Sequence, residues 1–237
     1  MKLSAPVYRL KRRARLLSRQ ESISHHAALD RIAVGEGFGN WSLLAARMAA
    51  ASPARTLLRH LLPGDLLLVG ARPGHGKTLF GLELAVEAMK AGRQGAFFTL
   101  EYTQENVLDR FRAIGAEPAR FDRLFVFENS DAICADYIVA SLESASEGTV
   151  AVVDYLQLLD QKRQNPELDS QVRKLKSFAR ERGLILVFIS QIDRSYDPSK
   201  KPVPDMDDIR LPNPLDLGLF DKACFLNDGE VRFQTLN

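Results

Sequence analysis

Apolar positions along the chain change their period near residue 60. Before it they recur at helical spacing: Leu10, Leu16 and Leu17, then Ala28, Leu29, Ile32 and Ala33, then Trp41, Leu43, Leu44 and Met48. This predicts a helical module over about residues 1–50, with G-E-G-F-G-N (35–40) as an internal turn, Ser22 or Ser24 capping one helix and Asn40 the next. Residues 51–64, with A-S-P-A-R, a short helical piece and Pro63-Gly64, predict a linker. From Asp65 to the end, at 65–237, short apolar runs alternate with amphipathic stretches. Strands are predicted at Leu66–Val69, 96–100, 124–127, 149–154 and 184–190, and helices over 79–91, 104–114, 131–146 and 168–182. Two further strands, 222–226 and 231–235, predict a closing hairpin around Asp228-Gly229. The fold class that follows is α/β, a mostly parallel sheet with helices on both faces.

The strongest chemical signal is D-L-L-L-V-G-A-R-P-G-H-G-K-T (65–78). A strand, a glycine loop and a helix start in this order make a phosphate cradle, because glycines let backbone N–H groups converge on an anion. Ala71, Arg72, Pro73, Gly74, His75 and Gly76 form the loop. Lys77 supplies a point charge for the β/γ oxygens, and the Thr78 hydroxyl suits Mg²⁺. Ala71 stands where the strict G-x-x-x-x-G-K-[ST] pattern has glycine. ATP with Mg²⁺ is the expected ligand.

Ligands of open α/β sheets bind beyond the carboxyl ends of the strands. There, V-A-V-V-D ends in Asp154, a second candidate Mg²⁺ ligand. Glu101 follows the 96–100 strand and could polarise a water, and Gln191 follows the 184–190 strand and could contact a γ-phosphate. His75 is set aside as a base, since side chains at that loop position point away from the phosphates.

Composition adds limits more than content. The chain has 237 residues, 46% of them apolar and 26% charged, with a net charge of +2, as in an ordinary globular protein. Cys134 and Cys224 are too far apart for metal-ligand spacing and predict buried free thiols, which suits a cytoplasmic location. No apolar run approaches the ~18 residues of a membrane span, so no membrane is expected. Charge is informative only locally. Lys2, Arg9, Lys11, Arg12, Arg13, Arg15 and Arg19 occupy residues 1–20 without one acid, which is either a solvated helix face or a contact for nucleic-acid phosphates or an acidic partner.

Four runs, A-R-P-G-H-G-K-T, T-L-E-Y, V-V-D-Y-L-Q-L and I-S-Q-I-D-R-S, stand in an order and spacing that resembles the RecA-like motor domain of DnaB-type replicative helicases, over roughly residues 60–226. That family's loop also begins with alanine. The resemblance implies Lys77 and Thr78 as the Walker A pair, Glu101 as the catalytic glutamate, Asp154 as the Walker B aspartate and Gln191 as the γ-phosphate-sensing glutamine. It implies single-stranded DNA at the segments holding Lys162 and Arg163 and holding Arg194, Lys200 and Lys201, where solvated loops are the alternative. It also implies a homo-oligomeric ring and a replication or helicase partner. Three departures stand out. Residues 1–60 do not resemble the family's N-terminal domain, and only Asp208-Ile209-Arg210 matches its D-L-R-E-S-G. Its Lys-x-Arg hairpin, which reaches the neighbouring subunit's ATP, has no counterpart, Arg232 being the one late arginine. Trans-acting arginines are worth roughly 10³–10⁵ in rate. The expectation is therefore a helicase-type ATPase. The alternatives are a nucleotide-gated binding module or helicase accessory factor without unwinding, and a recombination-type ATPase.

Overall fold

A computed structural model of the chain describes residues 3–5, 7–50, 52–162, 164–211, 213–227 and 230–236. It forms two compact units, residues 1–53 and 54–237.

The first unit holds α1 (Val7–Glu21), α2 (His25–Gly35) and α3 (Trp41–Ala50). Leu10, Ala33 and Leu44 are fully buried, with Ile32, Phe38 and Trp41 packed against them, so the sole tryptophan serves this small core. Ser24 caps α2 by accepting the Ala27 N–H at 3.1 Å. Asn40 Oδ1 accepts the Leu43 N–H at 2.9 Å and Asp30 accepts that of Trp41 at 2.8 Å, satisfying donors at the start of α3.

In the second unit a seven-stranded sheet runs β3-β2-β4-β5-β1-β6-β7. Its strands are β1 (Leu66–Ala71), β2 (Gly95–Thr99), β3 (Phe125–Glu128), β4 (Val150–Asp154), β5 (Ile185–Gln191), β6 (Lys222–Asn227) and β7 (Glu230–Thr235). All neighbours are parallel except the β6–β7 hairpin, whose turn at 228–229 lies outside the described residues. Strand residues alternate between two apolar layers. Leu66, Leu68, Ala151, Val153, Leu186 and Phe188 pack with α7 (Ala135–Ser141) and α8 (Leu168–Arg182). Leu67, Val69, Val152, Val187 and Ile189 pack with α4 (Pro53–Leu58), α5 (Lys77–Lys90) and α6 (Gln104–Ala113).

Three local expectations change. The stretch predicted as a linker contributes Ala54, Leu57, Leu58 and Leu61 to the second layer, because burying these apolar side chains outweighs the flexibility of an S-P-A segment. The helix expected from Asp131 begins only at Ala135. Ser130 turns the chain first, its Oγ accepting the Ala132 N–H at 3.2 Å and its carbonyl the Ile133 N–H. Both cysteines are free, but only Cys224 is buried, its thiol pushed up to about 12 by desolvation; Cys134, just before α7, is half-buried.

At the amino ends of β1 and β6, away from Asp154, two buried carboxylates meet cations. Lys222 bonds Asp65, and Asp221 accepts the Leu66 N–H at 2.9 Å while pairing with Lys176 at 3.3 Å and Arg180 at 3.2 Å. These pairs tie β1 and β6 to α8.

Candidate active site

The carboxyl ends of β1, β2, β4 and β5 meet along one edge of the sheet. Register places Ala71 beside Gln191, and Thr99 beside Asp154. Ala71 is the last residue of β1, buried and extended, so the position tolerates a Cβ. Gly74 (φ +83°) and Gly76 (φ +85°) take the left-handed conformations of the loop, with open space where a Cβ would point. Gly76 is the N-cap of α5, and no side chain caps that end, so the first-turn N–H groups of Lys77 and Thr78 remain for an anion. Helix α5 lies close on the sheet because residue 81 is glycine: a Cβ there would stand 2.8 Å from Ile189 and 2.9 Å from Val152.

Asp154 is fully buried, and neither carboxylate oxygen has a hydrogen-bond partner. Burial pushes its carboxyl up to about 6; the Thr78 hydroxyl and the Lys77 ammonium oppose this, Glu101 adds to it and Arg110 opposes it. Thr78 is near enough to act on Asp154 but completes no hydrogen bond of normal geometry with it. A buried carboxylate left without a donor costs several kcal/mol of desolvation unless a cation compensates it. One carboxylate and one hydroxyl fit Mg²⁺, which keeps waters and takes phosphate oxygens. Among the described residues no group of three or more His, Cys, Asp or Glu offers an all-protein metal cage.

Glu101 is exposed just past β2, its N–H bonded to Thr99 Oγ1 at 3.1 Å. Gln191 Oε1 accepts from Arg210 at 3.4 Å. The Arg210 carbonyl in turn accepts from Gln157 Nε2 at 2.8 Å, and the same amide donates to Ser190 Oγ at 3.3 Å. The structure thus joins three quoted runs, D-Y-L-Q-L, I-S-Q and D-I-R, through one amide. Gln157 and Arg210 stand in those runs, yet their spacing along the chain gives no sign that they touch. Arg110 was also missed: it stacks 3.9 Å over Tyr102 from α6, whose first turn is fixed by the Thr103–Asn106 capping box. Nothing in a surface helix's periodicity marks an arginine as near a buried aspartate.

A cavity of ≈ 620 Å³ opens on the flank of the loop, lined by Arg72, Pro73, His75, Ile192, Asp193 and Arg194. The basic residues expected to meet nucleic acid fall on loops past β4 and β5. Lys162 lies 3.4 Å from Asp131, Arg194 is exposed, and Lys200 reaches Asp197 only at 3.9 Å. Lys201 is held between Asp205 and Asp208, and Arg163 lies outside the described residues.

A parallel sheet with a glycine loop after β1 and carboxylates at the neighbouring strand ends defines a RecA-like nucleotide-binding fold. The sequence model of the DnaB-like helicase C terminal domain matches residues 56–119 and 124–214, and the chain belongs to that family. Relatives include the replicative DNA helicase DnaB of Helicobacter pylori (strain J99), 27% identical over 179 residues, covering 62% of this chain and 37% of the relative. That of Geobacillus stearothermophilus is 28% identical over 178 residues, covering 62% and 39%. A probable plasmid replicative DNA helicase of Chlamydia trachomatis is 27% identical over 181 residues, covering 63% and 40%. The chain therefore spans well under half the length of these relatives. Among solved structures, an ATPase domain superposes with a TM-score of 0.61 at 16% identity, over 80% of this chain and 90% of that one. A DnaB-like replicative helicase, solved in a study of its interactions with primase, gives 0.61 at 15% identity, over 96% and 74%.

Proposed function

We propose that this chain binds Mg·ATP at the edge formed by β1, β2, β4 and β5, hydrolyses it, and couples that step to single-stranded DNA. The observation that carries the reading is Asp154, buried beside Thr78 and Lys77 with both oxygens unpartnered. Magnesium, held by Thr78 and Asp154, would neutralise charge on the phosphate oxygens. The loop N–H groups and Lys77 bind and orient the triphosphate. Glu101 positions water and takes its proton. Gln191 contacts the γ-phosphate, and its bond to Arg210 passes the nucleotide state to the 192–210 segment carrying Arg194 and Lys200. Lys162, Arg163 and Lys201 complete the DNA-facing set. Ring assembly, a replication partner and a cytoplasmic location belong to the same reading; no helix among the described residues is long and apolar enough to cross a membrane.

The test is ATP turnover with and without single-stranded DNA. Turnover should rise with DNA. It should vanish with Lys77→Ala, and fall roughly 10²–10⁴-fold with Glu101→Gln while nucleotide binding persists. Tight ATP binding with no turnover above that of Glu101→Gln, unchanged by DNA, would instead assign a nucleotide-gated binding module.

A further inference from the structure

The first unit carries a feature that the ATP site does not use. Residues 1–53 hold nine Lys and Arg against three Asp and Glu, whereas residues 54–237 hold 23 against 27, so the chain's small net charge hides two units of opposite sign. The excess is concentrated on α1. Leu10 and Ala14 are fully buried, and Arg9, Arg12, Arg13, Arg15 and Arg19 are all exposed. At 3.6 residues per turn these five arginines and Leu16, 51% exposed, share an arc of about 160° opposite the buried stripe. They extend along roughly 15 Å of helix axis.

Intramolecular compensation of Arg12, Arg13, Arg15 and Arg19 is scant. Arg13 acts on Glu36, which is also held by Ser4. Among the described residues no carboxylate pairs with Arg12, Arg15 or Arg19, and the acid nearest in sequence, Glu21, pairs with Arg31 of α2. Arg9 and Arg13, Arg12 and Arg15, and Arg15 and Arg19 stand three or four residues apart, where like charges destabilise a helix. The first turn of α1 contains no acid to suit its dipole. A helix merely needing a soluble face would gain by mixing signs. This face is one-signed and arginine-rich, and guanidinium forks match phosphate oxygens.

We infer that the outer face of α1 is a nucleic-acid backbone clamp, a contact for a row of phosphates that is independent of base sequence and of the ATP site. Arg12, Arg15 and Arg19 make the central contacts, flanked by Arg9 and Arg13. Binding there releases condensed counterions, so its signature is a steep salt dependence.

The experiment measures binding of labelled oligo(dT) and of a short duplex to the full chain without nucleotide, across a salt series. It compares wild type, the triple variant Arg12→Gln/Arg15→Gln/Arg19→Gln, and a control triple, Lys90→Gln/Arg112→Gln/Arg120→Gln, that removes equal charge from exposed positions of the second unit. Glutamine keeps helix propensity, and unchanged circular dichroism checks the fold. The α1 triple is expected to lose roughly tenfold or more in affinity at ~0.1 M salt, with a salt slope shallower by about 2 for the single strand or about 3 for the duplex. The control triple should bind like wild type, and because binding is read without nucleotide, failure of the ATP-site reading would not touch this result. Unchanged affinity and slope in the α1 triple would overturn the clamp. So would an equal loss in the control, or competition by polyglutamate as effective as that by oligo(dT), which would assign an acidic polypeptide instead.

Discussion

In the proposed site Asp154 trades stability for chemistry. Its folded-state pKa of about 6 lies above the ordinary 3.8, so the fold favours the protonated form. Its contribution to stability is fully present below about 3.8 and lost as pH rises to about 6. Asp154→Asn should therefore stabilise the nucleotide-free chain at neutral pH by about 1–3 kcal/mol while abolishing Mg²⁺-dependent turnover. Thermal melts with and without Mg·ATP check both halves, because nucleotide should raise the wild-type melting temperature more than the variant's. Glu83 on α5 repeats the logic away from the loop. Burial, then Glu87, push it up to about 7 against the pull of Lys90. Stability is lost between about 4.5 and 7, and Glu83→Gln should flatten that pH dependence, gaining ~1–3 kcal/mol at pH 8 in urea titrations.

Helix α5 matters at the scale of elements because it carries Lys77 and Thr78 while resting on β4 and β5 at Gly81. Gly81→Val would drive methyl groups into Ile189 and Val152 and lift the helix. A loss of about 2–3 kcal/mol is expected, and nucleotide affinity measured by fluorescence titration should weaken with it. At the opposite end of the sheet, Lys222→Ala would leave Asp65 buried beside the Leu62 N–H it accepts at 2.7 Å. That should cost about 3–5 kcal/mol in chemical denaturation, most of it recovered by the double change Asp65→Asn/Lys222→Met, which removes the stranded charge. Strand existence was legible in the apolar runs, as was the hairpin in the pattern around Asp228-Gly229. The start of α7 and the burial of α4 were not. Both depend in part on groups from distant sequence, namely Gln171 of α8, whose Oε1 accepts the Ala135 N–H at 2.9 Å, and the sheet face under Leu57.

For the molecule as a whole, the proposed ring predicts that Mg²⁺ with a non-hydrolysable ATP analogue shifts the chain from 26.5 kDa toward a multiple of that mass in sedimentation. Persistence of the single-chain mass would remove the ring from the reading. Lys201, proposed from sequence as a DNA contact, is already engaged by Asp205 and Asp208, so Lys200→Ala and Arg194→Ala should weaken single-strand binding more than Lys201→Ala. A basic residue's availability is a property of its neighbours, and periodicity does not report it.

The glycine loop, the strand that ends in Asp154 and the placing of Glu101 and Gln191 at strand ends were determined by sequence alone, because left-handed turns and strand ends follow from particular residue types at fixed local spacing. The layered alternation of β1, β4 and β5 was determined the same way, by side chains that must face opposite sides of a sheet. Strand order, with β1 between β5 and β6, was decided only in three dimensions. So were the isolation of the Asp154 carboxylate and the meeting of Gln157, Ser190, Gln191 and Arg210. Each of these arises between residues tens of positions apart, where packing brings chain segments together and excludes water, and no local pattern encodes which polar groups will then lack a partner.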